Sequence, residues 1–183
     1  MASQISGHLF TPTGSMYHIA TVNGTGSSPT ISFSSIPADY THLQIRFIAR
    51  DNRVTTHEIF NAIFNSDTGN NYKRYHSIGG EDNVIYVEAG TSSYSSFLVG
   101  GVASLNGLAD TMGTGIIDIL DYTNTNKYKT TRSLTGAEFN TYGAVYLWSG
   151  LWMSASAISS ITITSGTSTN FTTNTSFSLY GIK

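Results

Sequence analysis

The chain has 183 residues, a net charge of −2, 11% charged side chains and no cysteine. At this length a single domain buries roughly 70% of its unfolded surface, so neither disulfides nor a structural metal is needed for folding. The low charge leaves no basic stripe for nucleic acid or for an anionic membrane, and Ser plus Thr at roughly a quarter of the chain, with 11 Tyr and 9 Phe, suit exposed β surfaces better than helices.

Residues 1–16 carry isolated apolar side chains (Ile5, Leu9, Phe10 and Met16) among Gly, Pro and Ser, too sparse to form an element alone. They are expected to be an N-terminal arm that docks on its own domain or on a neighbouring subunit, with Leu9 and Phe10 as anchors. This stretch has no basic region followed by an apolar one, so no signal peptide is expected, and no run approaches the ~20 apolar residues of a membrane span. Synthesis in the cytoplasm of the producing cell is the expectation.

Over residues 17–183, short β-compatible runs recur and are closed by Gly, Asn, Asp or Ser. Strands are expected at 17–22, 30–34, 42–50, 58–65, 72–78, 84–88, 95–99, 115–121, 128–134, 144–152, 159–164 and 176–182, giving one all-β domain, an antiparallel β-sandwich of jelly-roll type. In LQIRFIAR, Leu43, Ile45, Phe47 and Ala49 face one side, while Gln44, Arg46 and Arg50 face the other. Only TTHEIFNAIFN has helical spacing, through Ile59, Ala62 and Ile63. Its β-branched and aromatic content and the following SDTGNN turn formers favour a strand.

The segment from Gly115 to Gly136, GIIDILDYTNTNKYKTTRSLTG, gathers Asp118, Asp121, Lys127, Lys129 and Arg132. An apolar run, a Thr-Asn-Thr-Asn turn and a second β run read as a hairpin with acids on one arm and bases on the other. Cross-strand pairing of these charges then helps set register at roughly 0.2–1 kcal/mol per pair. Asp118 and Asp121 lie three apart, so strand parity sends them to opposite faces and they cannot flank one glycosidic bond.

Other chemistry is thin. No G-x-S-x-G elbow is present, and His8, His18, His42, His57 and His76 are dispersed without metal-ligand spacing. Asp67, Asn70 and Asn71 in SDTGNNY supply hard oxygens for a calcium ion, and Asp51-Asn52 lies in another loop, but EF-hand spacing is missing and Asx turns use the same residues. Trp148 and Trp152, four apart in LWSGLWM, share a strand face opposite Leu147 and Leu151 unless Gly150 introduces a bulge. Buried, they are core or subunit-interface anchors; exposed, they are a sugar-stacking platform. No catalytic residue, metal ligand or cofactor is assigned, and the chain is read as non-enzymatic.

ISFSSIPADYTHLQIRFIAR (Ile31 to Arg50) and the Gly115–Gly136 block, with SGLWMSASAISSITITSG and the terminal SFSLYGIK, resemble small β-rich virion proteins of tailed, cyanophage-like bacteriophages. The resemblance covers most of residues 17–183. It implies a structural protein of the particle, foremost a capsid decoration (cement) protein that contacts the major capsid protein as a homotrimer. The alternative is a tail-fibre or tail-tip module that binds tail proteins and a host-surface glycan. Neither nucleic acid nor membrane is an expected partner.

Overall fold

Period-two alternation of apolar and polar residues sets most of the strands. The computed structural model describes residues 15–80, 85–89, 92–140 and 142–183, so Leu9 and Phe10 of the expected arm lie outside the described residues. The strands are β1 (Met16–Asn23), β2 (Thr30–Phe33), β3 (His42–Ala49), β4 (His57–Phe64), β5 (Tyr72–Gly80), β6 (Ile85–Ala89), β7 (Phe97–Ala103), β8 (Gly113–Ile119), β9 (Lys129–Glu138), β10 (Gly143–Trp152), β11 (Ile161–Ser165) and β12 (Ser176–Ile182). Each overlaps a run expected from the sequence, and no helix occurs among the described residues. TTHEIFNAIFN forms β4, with Glu58, Phe60, Ala62 and Phe64 buried and the residues between them partly exposed.

The main boundary shift is at β7, which continues through Gly100 and Gly101 to Ala103. Glycines usually end a strand, but here they let rings approach the backbone. A Cβ at Gly100 would lie 2.5 Å from Phe60 Cε2, and one at Gly101 would lie 2.8 Å from Tyr146 Cε2.

All strands pair antiparallel in two sheets, one of eight strands in the order β1-β12-β3-β8-β9-β10-β5-β6 and one of four in the order β2-β11-β4-β7. The chain passes between the sheets at every step from β1 to β5, and two runs, β5–β6 and β8–β10, stay within the larger sheet. The sheets face each other as a β-sandwich.

Between them, Phe47 of β3, Phe60 of β4, Phe177 of β12 and Phe171 of the preceding loop form one aromatic cluster, with ring centroids 5.0–5.8 Å apart. A second group, Phe64, Tyr72, Phe97 and Trp152, continues it toward β5 and β10. Edge-to-face geometry adds about 0.5–1.5 kcal/mol per pair to the burial of the rings. Phe60 contacts three other rings and is fully buried, so Phe60→Ala leaves a cavity at the centre of both sheets. The expected loss is about 3–5 kcal/mol, read as a lowered urea midpoint with unchanged native far-UV circular dichroism.

Candidate functional site

The charged hairpin forms between β8 and β9. Asp118 and Arg132 are direct cross-strand partners, Arg132 Nη2 donating to Asp118 Oδ2 at 3.0 Å while Gln44 Nε2 from β3 donates to Oδ1 at 2.9 Å. Arg132 is largely in water, which limits this pair to below about 1 kcal/mol. Asp121 sits past the end of β8 at a φ of 48°, where Lys127 Nζ donates to Oδ2 and His42 Nδ1 lies 3.4 Å from Oδ1. The Lys127 hydrogen bond holds the Asp121 carboxyl below the usual carboxylate range.

Lys129 departs from the expected charge pairing. It opens β9 on the inner face, 0% exposed, and its Nζ donates to the carbonyls of Lys127 (3.0 Å) and Ala155 (3.2 Å) rather than to a carboxylate. Strand parity is the reason: Lys129 points inward with Thr131, Ser133 and Thr135, while Arg132 points outward. Burial pushes the Lys129 pKa down.

Trp148 and Trp152 both face inward, as parity requires, and no bulge interrupts β10 at Gly150. Each is 2% exposed within the chain's own core, so neither forms a surface interface or a sugar platform; the outer face of β10 presents Leu147 and Leu151 instead. Trp152 Nε1 donates to Asp67 Oδ2 at 2.7 Å. The Trp148 Nε1 and the Oγ of its register partner Ser133 are buried without a hydrogen-bond partner.

Asp67 is the hub of the SDTGNNY turn. Besides Trp152, its carboxylate accepts from Gly69 N at 2.9 Å and from Asn71 Nδ2 at 3.0–3.1 Å. The Trp152 hydrogen bond, more than any other, holds its pKa below the usual range. These oxygens close the turn, and no group of three or more His, Asp or Glu gathers for a metal among the described residues.

The densest polar chemistry lies at one end of the sandwich, around Asp51, which the sequence offered only as a loop oxygen beside Asn52. Asp51, directly after β3 and fully buried, accepts from Ser104 Oγ, from Ser165 Oγ at 3.3 Å and from Thr169 Oγ1 at 2.6 Å. Glu58, at the same end, accepts from Arg53 Nη1 at 2.9 Å and from Thr167 Oγ1 at 2.5 Å. Arg50 donates to the carbonyls of Leu108 (2.8 Å) and Thr111 (2.7 Å), with longer bonds to Gly107 and Leu105. Two carboxylates and two guanidiniums thereby staple the β3–β4, β7–β8 and β11–β12 loops together. Each oxygen of Asp51 has a hydroxyl donor from another segment, an arrangement suited to fixing loops rather than to proton transfer.

Histidines remain dispersed. His57 Nδ1 lies 2.9 Å from Tyr142 Oη beside Phe139, and burial lowers its pKa, while His76 packs on Trp148 at 4.7 Å.

Asp51→Ala removes the acceptor of the buried Ser104 and Ser165 hydroxyls and of the half-buried Thr169 hydroxyl, and is expected to cost about 2–3 kcal/mol by urea denaturation. Asp67 gives a pH signature. Its folded pKa is depressed, so its stabilisation is in place above the unfolded value of about 3.9 and is lost as pH falls through the folded value. Urea midpoints followed from about pH 7 to about pH 2 should fall less steeply in Asp67→Asn than in the native chain.

Comparison of the chain with protein-family models, with curated proteins and with solved structures returns no match.

Proposed function

We propose that this chain is a non-enzymatic structural protein of a tailed-phage particle, a capsid decoration protein that binds the major capsid protein lattice and is made in the host cytoplasm. The observation that carries the reading is strand order. Set aside β5–β6 and β9–β10, and the remaining strands lie as β1-β12-β3-β8 facing β2-β11-β4-β7. That order supports the jelly-roll reading, two four-stranded sheets between which the chain alternates at every step except β4 to β7, an architecture recurrent in viral capsid and lectin domains. The two inserted hairpin segments extend one sheet and widen its outer face. Fold analogy alone does not assign function, but the sequence blocks that resemble virion proteins begin on this frame: Ile31 to Arg50 spans β2 and β3, and Gly115 to Gly136 runs from β8 through its turn into the inserted β9.

The stapled loops fit a mechanical role. A decoration protein contributes area across neighbouring capsid subunits and stabilises the assembled state by binding it in preference to free subunits. Rigid loops lose little conformational entropy when they dock. The tail-tip, glycan-binding alternative loses its best anchor, because both indoles are buried.

Quantitative mass spectrometry of purified particles tests the proposal. Copy number should track the major capsid protein, and particles stripped of this chain should rupture at lower temperature. A copy number that tracks the tail proteins, or unchanged heat resistance of stripped heads, rules the decoration role out.

A further inference from the structure

Strand β9 inverts the usual polarity of a sandwich. On β9, Thr131, Ser133 and Thr135 point into the protein at 2–3% exposure, whereas Leu134 between them is 56% exposed. The exposed apolar row extends across the sheet in register: Ile116, Leu134 and Leu147 are consecutive cross-strand partners, and beyond Ser77 the same row ends at Val87. All four apolar side chains are exposed, as is Val145 in the next row. Beside this ridge runs a furrow with Gly136 and Gly79 on either side of Val145. A Cβ at Gly79 would meet nothing within 4 Å, and one at Gly136 nothing nearer than 3.5 Å, so the fold of the chain itself does not require either glycine. Contiguous apolar surface of this kind on a folded chain marks an interaction site.

We infer that this face binds a second copy of the same chain, sheet on sheet, about a two-fold axis that runs across the strands at the level of Thr135 and Tyr146. The argument is self-complementarity, which an isologous contact demands. Such an axis lays each strand antiparallel on its own counterpart. On β9 it sets Leu134 over the partner's Gly136 and Arg132 over the partner's Glu138. On β10 it sets Leu147 over the partner's Val145, and on β8 Ile116 over the partner's Thr114. Every central pair thus matches a larger side chain with a smaller one, as interdigitation at a sheet spacing of about 10 Å requires. The polar ends of β9 match in charge. Glu138 is exposed on the same face, across Gly143, and Arg132 is exposed at the other end of the strand. Arg132 keeps Asp118 within its own chain and reaches the partner's carboxylate with the rest of its guanidinium.

The area is adequate. From β3 to β6 the face spans about 24 Å, and along β9 and β10 it runs about 30 Å. A second sheet laid on it covers on the order of the ~800 Å² per partner of a standard interface. The contact is two-fold and pairs chains; the three-fold ring expected from the resemblance needs two different patches, which this face does not supply. The inference stands independently of the virion reading, since it concerns the purified chain.

Sedimentation equilibrium of the full chain at protomer concentrations up to about 100 μM tests it. The native chain should dimerise. Leu134→Glu and Gly79→Trp, both in exposed positions, should weaken the dimer about 100-fold or more while far-UV circular dichroism and monomer urea stability stay native. Arg132→Glu and Glu138→Arg should each weaken it about tenfold, and the double exchange should restore most of the loss, the response that a purely structural role for either residue would not give. A native chain that remains monomeric overturns the inference. So does a trimer, a dimer indifferent to Leu134→Glu, or an exchange that fails to restore association.

Discussion

The contact between Phe47 and Phe60, backed by Phe171 and Phe177, is the constraint on which the rest of the structure depends. It joins β3 and β12 of the larger sheet to β4 inside the smaller one. Rings of this size fit only because the facing backbone gives way. A Cβ at Gly115 would lie 2.7 Å from Phe47 Cζ, and at Gly100 a Cβ would enter the Phe60 ring. The glycines that look like breaks in β7 and β8 are therefore the complement of two phenylalanines, and strand continuity there is a consequence of packing rather than of local propensity.

Once the sheets are joined, the loops at one end still need fixing, and polar groups do this where apolar surface is scarce. Asp51, Glu58 and Arg50 reach loops far apart in sequence. A buried carboxylate is costly unless its oxygens are hydrogen-bonded, and three hydroxyls satisfy Asp51. The same chemistry explains why acids that could serve catalysis are committed to structure: Asp67 closes its turn on Trp152, and Asp121 is held by Lys127.

The β8–β10 meander joins this architecture to the association inferred for its outer face. Its inner face carries hydroxyls, the Lys129 ammonium and the indoles of β10, while its outer face carries leucine, isoleucine and valine. The segment where charge is most concentrated is thus also where the exposed face is most apolar. Asp118 and Arg132 form a charged border beside an apolar stripe, the anatomy of an interface core with a polar rim.

Alternation in LQIRFIAR, the Asn and Gly turns and the absence of long helical periodicity made twelve strands, the antiparallel class and the hairpin legible from the sequence alone. Parity also placed Trp148 with Trp152 on one face, because side-chain direction in a strand has a period of two whatever the strand pairs with; Asp121, expected on the strand face opposite Asp118, instead lies past the end of β8 at a φ of 48°, where parity does not apply. The same rule applied to the basic arm separates Lys129 from Arg132. What parity cannot say is which face is inside. Ser133 and Leu134 alternate as plainly as any pair, yet the hydroxyl is buried and the leucine exposed. Only the partner strands of β9 and the rings packed beneath them decide that choice. The hydrogen bonding of Asp51 was illegible for a related reason: its donors Ser104, Ser165 and Thr169 come from two loops and the end of β11, which only the joining of the two sheets brings together. Sequence determined the elements, their faces and their turns, which depend on neighbours a few residues apart. Tertiary structure decided the inward face, the loop staples and the apolar outer surface, which depend on segments that meet only after the sandwich closes.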